Sequence, residues 1–326
     1  MKPVEEKLTR FLRGNLFASL LVIAALAVIW SGVTMGEAHA LSSGGYAGKF
    51  GSMTVFSELA TVRLASLVML LTMSLMWLVN RFFNIVRTTS KLYLGLFALM
   101  AAATPGTMGA ALNGPVLGFA VMLSLVVMYT TYNRGLPTRR IFLVFTLMSA
   151  GASFQWTYAA FMPLFLLGCA QMRCLTFRSL LAAGAGMLTP PWILWGFGMI
   201  VFRDAAPLAI GWPTADIFAG FSPAEILTAV TTLATAVVAT LYNTIRIYGF
   251  NAQTRAFNGI FASLTLWTAA LTAVDLGHVA TFMPLLTALT AMQATLFFRM
   301  NIERRGYILV IALTMIYFIS ICLQIL

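Results

Sequence analysis

Apolar and polar positions alternate along this chain in long blocks. Eleven apolar segments, near 15–33, 63–80, 92–105, 114–132, 140–153, 156–171, 179–202, 224–243, 257–274, 279–298 and 307–325, are separated by short polar breaks. A helix needs roughly 20 apolar residues to cross a bilayer, and fewer when it is buried among neighbours. The pattern therefore predicts an all-α, polytopic transmembrane bundle of about eleven spans. Segments 92–105 and 140–153 are short and end in Thr104-Pro105-Gly106 and Gly151-Ala152-Ser153, so they read as half-length helices or arms of re-entrant hairpins. The apolar blocks run the whole length, and residues 1–326 are expected to form one integral membrane domain. Lys2, Lys7, Arg10 and Arg13 precede the run from Leu16 to Trp30, and Ala38-His39-Ala40 imitates a cleavage site. That site lies too far beyond the run for a signal peptide, so an uncleaved first span is expected.

Charge gives the bundle a direction. Of 20 Lys and Arg residues, seventeen fall on one side of the zigzag: Lys2, Lys7, Arg10, Arg13, Arg81, Arg87, Lys91, Arg134, Arg139, Arg140, Arg173, Arg178, Arg246, Arg255, Arg299, Arg304 and Arg305. Only Lys49, Arg63 and Arg203 fall on the other. Cytoplasmic loops hold the Lys/Arg excess, which places the N-terminus inside and the C-terminus outside. The formal charge of +11 does not point to nucleic acid, because the cations sit singly or in small groups beside apolar runs. They read as anchors to anionic headgroups of the lipid bilayer. Cytoplasmic loops are short and carry no Gly-x-x-x-x-Gly-Lys phosphate cradle, so no nucleotide is expected.

The acidic residues go the opposite way. Glu37, Glu58, Asp204, Asp216, Glu225 and Asp275 are exterior, with both histidines, His39 and His278. Acidic residues contribute little to orientation, so this bias needs another explanation. Two exterior segments, 34–62 and 203–223, are long enough to carry function; the second mixes apolar and polar residues like an interfacial helix, with Trp212 at headgroup level. Glu225 has a structural role, since Ser222-Pro223-Ala224-Glu225 fits a capping box. Asp275 and His278, three apart, share a face if helical. With Glu37 and His39 they offer ligands that suit a divalent metal such as zinc or manganese, although helix ends often carry such residues without one.

No acidic or basic residue lies near the middle of any segment, which argues against a proton- or ion-coupled carrier. Mid-span polarity is confined to residues such as Ser124, Thr189, Thr231, Thr232 and Thr235, more simply read as helix packing than as a pathway. Thr189-Pro190-Pro191 is expected to kink its helix. The small stretch Ala182–Gly186 permits close helix contact, within or between chains. Cys169, Cys174 and Cys322 have no metal-knuckle spacing.

Asn80-Arg81 at the end of the second segment, the Arg173-Cys-Leu-Thr-Phe-Arg178 link, Gly186 and Pro190-Pro191 give residues 76–200 an order of features that resembles a family of polytopic inner-membrane proteins of Bacteroidota. The same succession is similar to the membrane module of lipid-linked glycosyltransferases with exterior active sites. Those enzymes place an acid in the first exterior loop, where this chain has Glu37 and Glu58 but no Asp-x-Asp. The resemblance implies a bacterial inner-membrane protein of the cell envelope that handles a polyprenyl-linked or other lipid-linked glycan. Glu37 or Glu58 would then act as base or metal ligand, Arg63 and Arg203 with Asp216 would contact the phosphate-bearing substrate, and Trp212 would hold its lipid. The alternatives are a non-enzymatic scaffold or accessory subunit of an envelope or secretion complex, and a facilitative transporter with its path beside the Pro-containing span.

Overall fold

In a computed structural model, residues 11–12, 14–34, 58–87, 91–104, 112–134, 137–198, 222–301 and 304–325 are described. Each of the eleven apolar segments is a helix: α1 Asn15–Thr34, α2 Glu58–Phe83, α3 Leu92–Ala102, α4 Asn113–Tyr129, α5 Thr138–Ala152, α6 Met162–Gln171, α7 Phe177–Gly196, α8 Pro223–Ile247, α9 Ala252–Val274, α10 Val279–Met300 and α11 Arg304–Ile325. Short 3-10 turns, Trp156–Phe161 and Leu276–His278, lead into α6 and α10. The described residues contain no strand. Among the described residues five segments are long and apolar enough to cross a membrane: Arg63–Phe83, Pro223–Ile247, Ala252–Val274, Leu276–Met300 and Gly306–Leu323.

The bundle is built around α10, which packs against α3, α4, α8, α9 and α11. Its apolar window is 94% buried, against 22% for α2. Helix α3 is nearly as enclosed, with every residue buried except Ala101. At 1.5 Å per residue its 11 residues reach only about 16 Å, half the hydrocarbon thickness, so α3 is a core helix and not a full crossing by itself. Helix α7 lies at the rim and packs chiefly on α5. Its buried stripe, Ser179, Ala183, Gly186 and Pro190, follows helical spacing, while Leu188, Trp192 and Phe197 are 70% or more exposed. A Cβ on Gly186 would stand 2.6 Å from the Phe142 carbonyl oxygen, whereas one on Gly184 would meet nothing. Close approach through Gly186 is therefore made within the chain.

Several buried hydroxyls are satisfied inside their own helices. Thr265, Thr268 and Thr272 of α9, and Thr290 and Thr295 of α10, each donate to the carbonyl one turn earlier at 2.7–2.9 Å. Such back-bonding lets a polar side chain pack in an apolar interior. Other polar side chains link neighbouring helices: Asn243 Nδ2 donates to Gln293 Oε1 at 2.8 Å, and the Thr232 and Tyr317 hydroxyls pair at 2.6 Å. The expected capping box opens α8, with the Glu225 amide donating to Ser222 Oγ at 3.2 Å and the Ser222 amide to Glu225 Oε2 at 2.9 Å.

Cross-connections gather the basic loops at one end. Arg87 Nη2 donates to Thr254 Oγ1 at 3.2 Å, Arg299 Nε donates to the Arg87 carbonyl at 3.2 Å, and the Asn133 amide donates to the Met172 carbonyl at 3.1 Å. The described loops after α2, α4, α6, α8 and α10 thus meet at an arginine end. At the opposite end Gln155 touches Thr281, Trp156 touches His278, and Ser320 Oγ donates to the Ala224 carbonyl.

Candidate functional site

At that opposite end the corner between α9 and α10 holds an Asp–His pair. Asp275 leaves helical geometry at φ −111°, ψ 74° and stops α9, its amide still donating to the Leu271 carbonyl at 2.9 Å. The single 3-10 turn that follows brings the His278 amide to the Asp275 carbonyl at 3.2 Å. The same turn sets His278 Nδ1 2.9 Å from Asp275 Oδ1 and 2.8 Å from Oδ2. The Asp275 side chain is 2% exposed and that of His278 28% exposed, so the carboxylate lies inside the corner and the imidazole reaches its surface. Burying a carboxylate is costly unless it is paired, and His278 supplies a partner.

A second corner closes over this pair. Gly151, in the last turn of α5, leaves room for the ring of Tyr158, whose Cδ1 would lie 2.2 Å from an added Cβ. The 3-10 turn Trp156–Phe161 is thereby drawn against α5, and Trp267 Nε1 ties it to α9 by donating to the Ala160 carbonyl at 2.9 Å. Trp156, the first residue of that turn, stands edge-on to His278 with ring centroids 5.5 Å apart at 88°. Gln155 Nε2 donates to Thr281 Oγ1, in the first turn of α10, at 3.4 Å. Three buried polar atoms here, Gln155 Oε1, Trp156 Nε1 and Thr157 Oγ1, have no hydrogen-bond partner among the described residues. Buried polar groups are normally satisfied, so this corner has unused capacity for hydrogen bonds beside an imidazole.

The arrangement has a defined chemistry. A carboxylate that accepts from Nδ1–H selects the tautomer with its lone pair on Nε2 and fixes the ring's orientation. No described residue bonds Nε2, which leaves it able to accept a proton or bind a ligand. Asp275 and His278 engage each other, and the described residues contain no group of three or more His, Cys, Asp or Glu arranged to hold a metal.

Of the residues selected from sequence, the structure thus joins Asp275 to His278. Arg63 is exposed in the early part of α2 and makes no hydrogen bond or ion pair with either. Helix α2 begins at Glu58. Glu37, His39, Arg203, Trp212 and Asp216 lie outside the described residues. Gln155, Trp156, Thr157 and Thr281 belong to the corner without any motif that marks them. The only local hint was a polar, aromatic Gln-Trp-Thr between two apolar segments. Comparison with protein-family models, curated proteins and solved structures finds no match to this chain.

Proposed function

We propose that this protein is a multi-pass inner-membrane protein, N-terminus inside and C-terminus outside, that acts on a lipid-linked glycan at the face opposite its arginines. His278, oriented by Asp275, is the proton acceptor. The observation that carries this reading is the buried Asp275 carboxylate gripping Nδ1 of a partly exposed imidazole, beside three buried polar atoms with no partner among the described residues. Location supports the substrate class. The pair sits where two membrane-length segments, Ala252–Val274 and Leu276–Met300, meet at one end of the bundle. There a lipid headgroup and a water-soluble acceptor come together. An acceptor hydroxyl would give its proton to Nε2 as its oxygen bonds to the anomeric carbon, and the lipid phosphate would leave with the electron pair of the broken bond. Gln155, Trp156 and Thr157 would hold sugar hydroxyls. Glu37, Glu58, Arg63, Arg203, Trp212 and Asp216 belong to the same face by chain order and would complete the site, the arginines on phosphate.

The test is turnover of a polyprenyl-phosphate-linked sugar by purified protein in lipid nanodiscs. Positioned general-base catalysis contributes about 100- to 10,000-fold, so His278→Gln is expected to lower kcat at least 100-fold with KM little changed. Equal turnover by wild type and His278→Gln would remove His278 from the chemistry. A non-enzymatic scaffold is the second reading, favoured by α7, which hangs on α5 and turns Trp192 and Trp195 outward. The transporter reading has less support, because its Pro-containing helix lies at the rim and the bundle centre is filled by α10.

A further inference from the structure

A cavity bordered by described residues lies at the arginine end, far from the Asp275–His278 corner. It measures about 500 Å³ and lies between the ends of α2 and α4 and the start of α9. Its wall is a fixed aromatic cluster: Phe83 and Tyr129 have ring centroids 5.0 Å apart, Phe257 packs on Tyr129 at 4.9 Å, and Tyr132 meets Phe257 edge-on at 5.5 Å. Tyr129 locks the wall by donating its hydroxyl to the Phe257 carbonyl at 3.2 Å. The polar rim is Arg134, Arg140, Gln253 and Thr254. Arg140 is held in place by its hydrogen bond to the Thr130 carbonyl. Arg134 is exposed, and its guanidinium has no partner among the described residues. Phe82, 72% exposed on the outer surface of α2, lines the same cavity, so one side opens at the outer surface of the bundle.

Among the described residues no carboxylate offsets this charge. Among described side chains the carboxylates are Glu225 and Asp275, both at the opposite end of the bundle, and the only ion pair among described residues is Asp275–His278. Arg87 adds to the surplus, its guanidinium stacked 4.0 Å from the Phe250 ring centre and donating to Thr254 on the cavity rim. Arginine's planar fork matches phosphate oxygens, and arginines lining a pocket of a few hundred Å³ provide a built anion site.

We propose that this cavity binds the phosphate of an anionic phosphate ester, with Arg134 and Arg140 on its oxygens and Tyr132 and Gln253 beside them. A membrane phospholipid headgroup and a soluble phosphate ester share that chemistry. The site is separate from the Asp275–His278 corner and does not depend on its role.

Binding is read as thermal stabilisation and as Kd for the full-length protein in a non-ionic detergent. Three probes are compared: dioleoyl phosphatidic acid, dioleoyl phosphatidylcholine and glycerol 3-phosphate. Phosphatidic acid is expected to bind at least tenfold more tightly than phosphatidylcholine. Preference for it over glycerol 3-phosphate identifies a membrane lipid as the source, and equal binding of these two identifies a soluble ester. Arg134→Gln, at an exposed side chain without a partner among the described residues, leaves folding intact and should weaken binding at least tenfold. Arg178→Gln, exposed at the same end but off the cavity, should not. The proposal is overturned if phosphatidic acid and phosphatidylcholine bind alike, if none binds, or if Arg134→Gln and Arg178→Gln have the same effect.

Discussion

His278 owes its setting to one local contact and one distant one. The local contact is with Asp275, three residues back, and that spacing can be read from sequence because residues three apart share a face. The distant one is with Trp156, 5.5 Å away between ring centres and far off in the chain, and no periodicity encodes it. Gly151 sets the distant side. Its missing Cβ admits Tyr158, itself 1% exposed, and so positions the turn that carries Trp156. Gly151→Ala puts a methyl group 2.2 Å from a buried ring carbon that cannot rotate away cheaply. Overpacking of this kind costs about 1–3 kcal/mol. A lower thermal midpoint in detergent is the expected outcome, and an unchanged midpoint would mean the two corners are not braced through Tyr158.

Among elements, helix positions were legible and helix surroundings were not. All eleven apolar segments are helices, and the Ser222–Glu225 cap lies where its spacing puts it. Yet α2 and α10 have mean hydropathies of 1.5 and 1.4 and burials of 22% and 94%. Lipid tails and a protein core are equally apolar, so hydropathy cannot distinguish a helix facing one from a helix facing the other. Small residues carry that information instead. In α7, Gly186 meets α5 and Gly184 meets open space, though only two residues separate them. Gly186→Ala should destabilise the protein, because its Cβ would press on the Phe142 carbonyl oxygen at 2.6 Å. Gly184→Ala should be neutral, or stabilising by up to about 1 kcal/mol from helix propensity. Paired thermal scans of the two variants give the comparison, and the same sign for both would contradict the α5–α7 packing described here.

On the scale of the molecule, two different chemistries occupy two ends. One end carries arginines with an aromatic-walled cavity, and the other carries the buried Asp275 and the partly exposed His278. The charge asymmetry of the sequence already separated these sets, because short basic loops resist translocation. It did not show that Arg87 would bond Thr254 across the bundle, or that the basic loops would enclose a cavity, since both depend on helix neighbours. Everything proposed for either end rests on their lying on opposite sides of a membrane. Labelling by a membrane-impermeant maleimide tests that directly, in a background with Cys169, Cys174 and Cys322 replaced by Ala. Gly277→Cys reports the exposed turn beside His278, and Arg178→Cys an exposed site at the arginine end. In right-side-out membranes Gly277→Cys should react at once and Arg178→Cys only after permeabilisation. Reaction of both before permeabilisation, or the reverse order, would contradict the account.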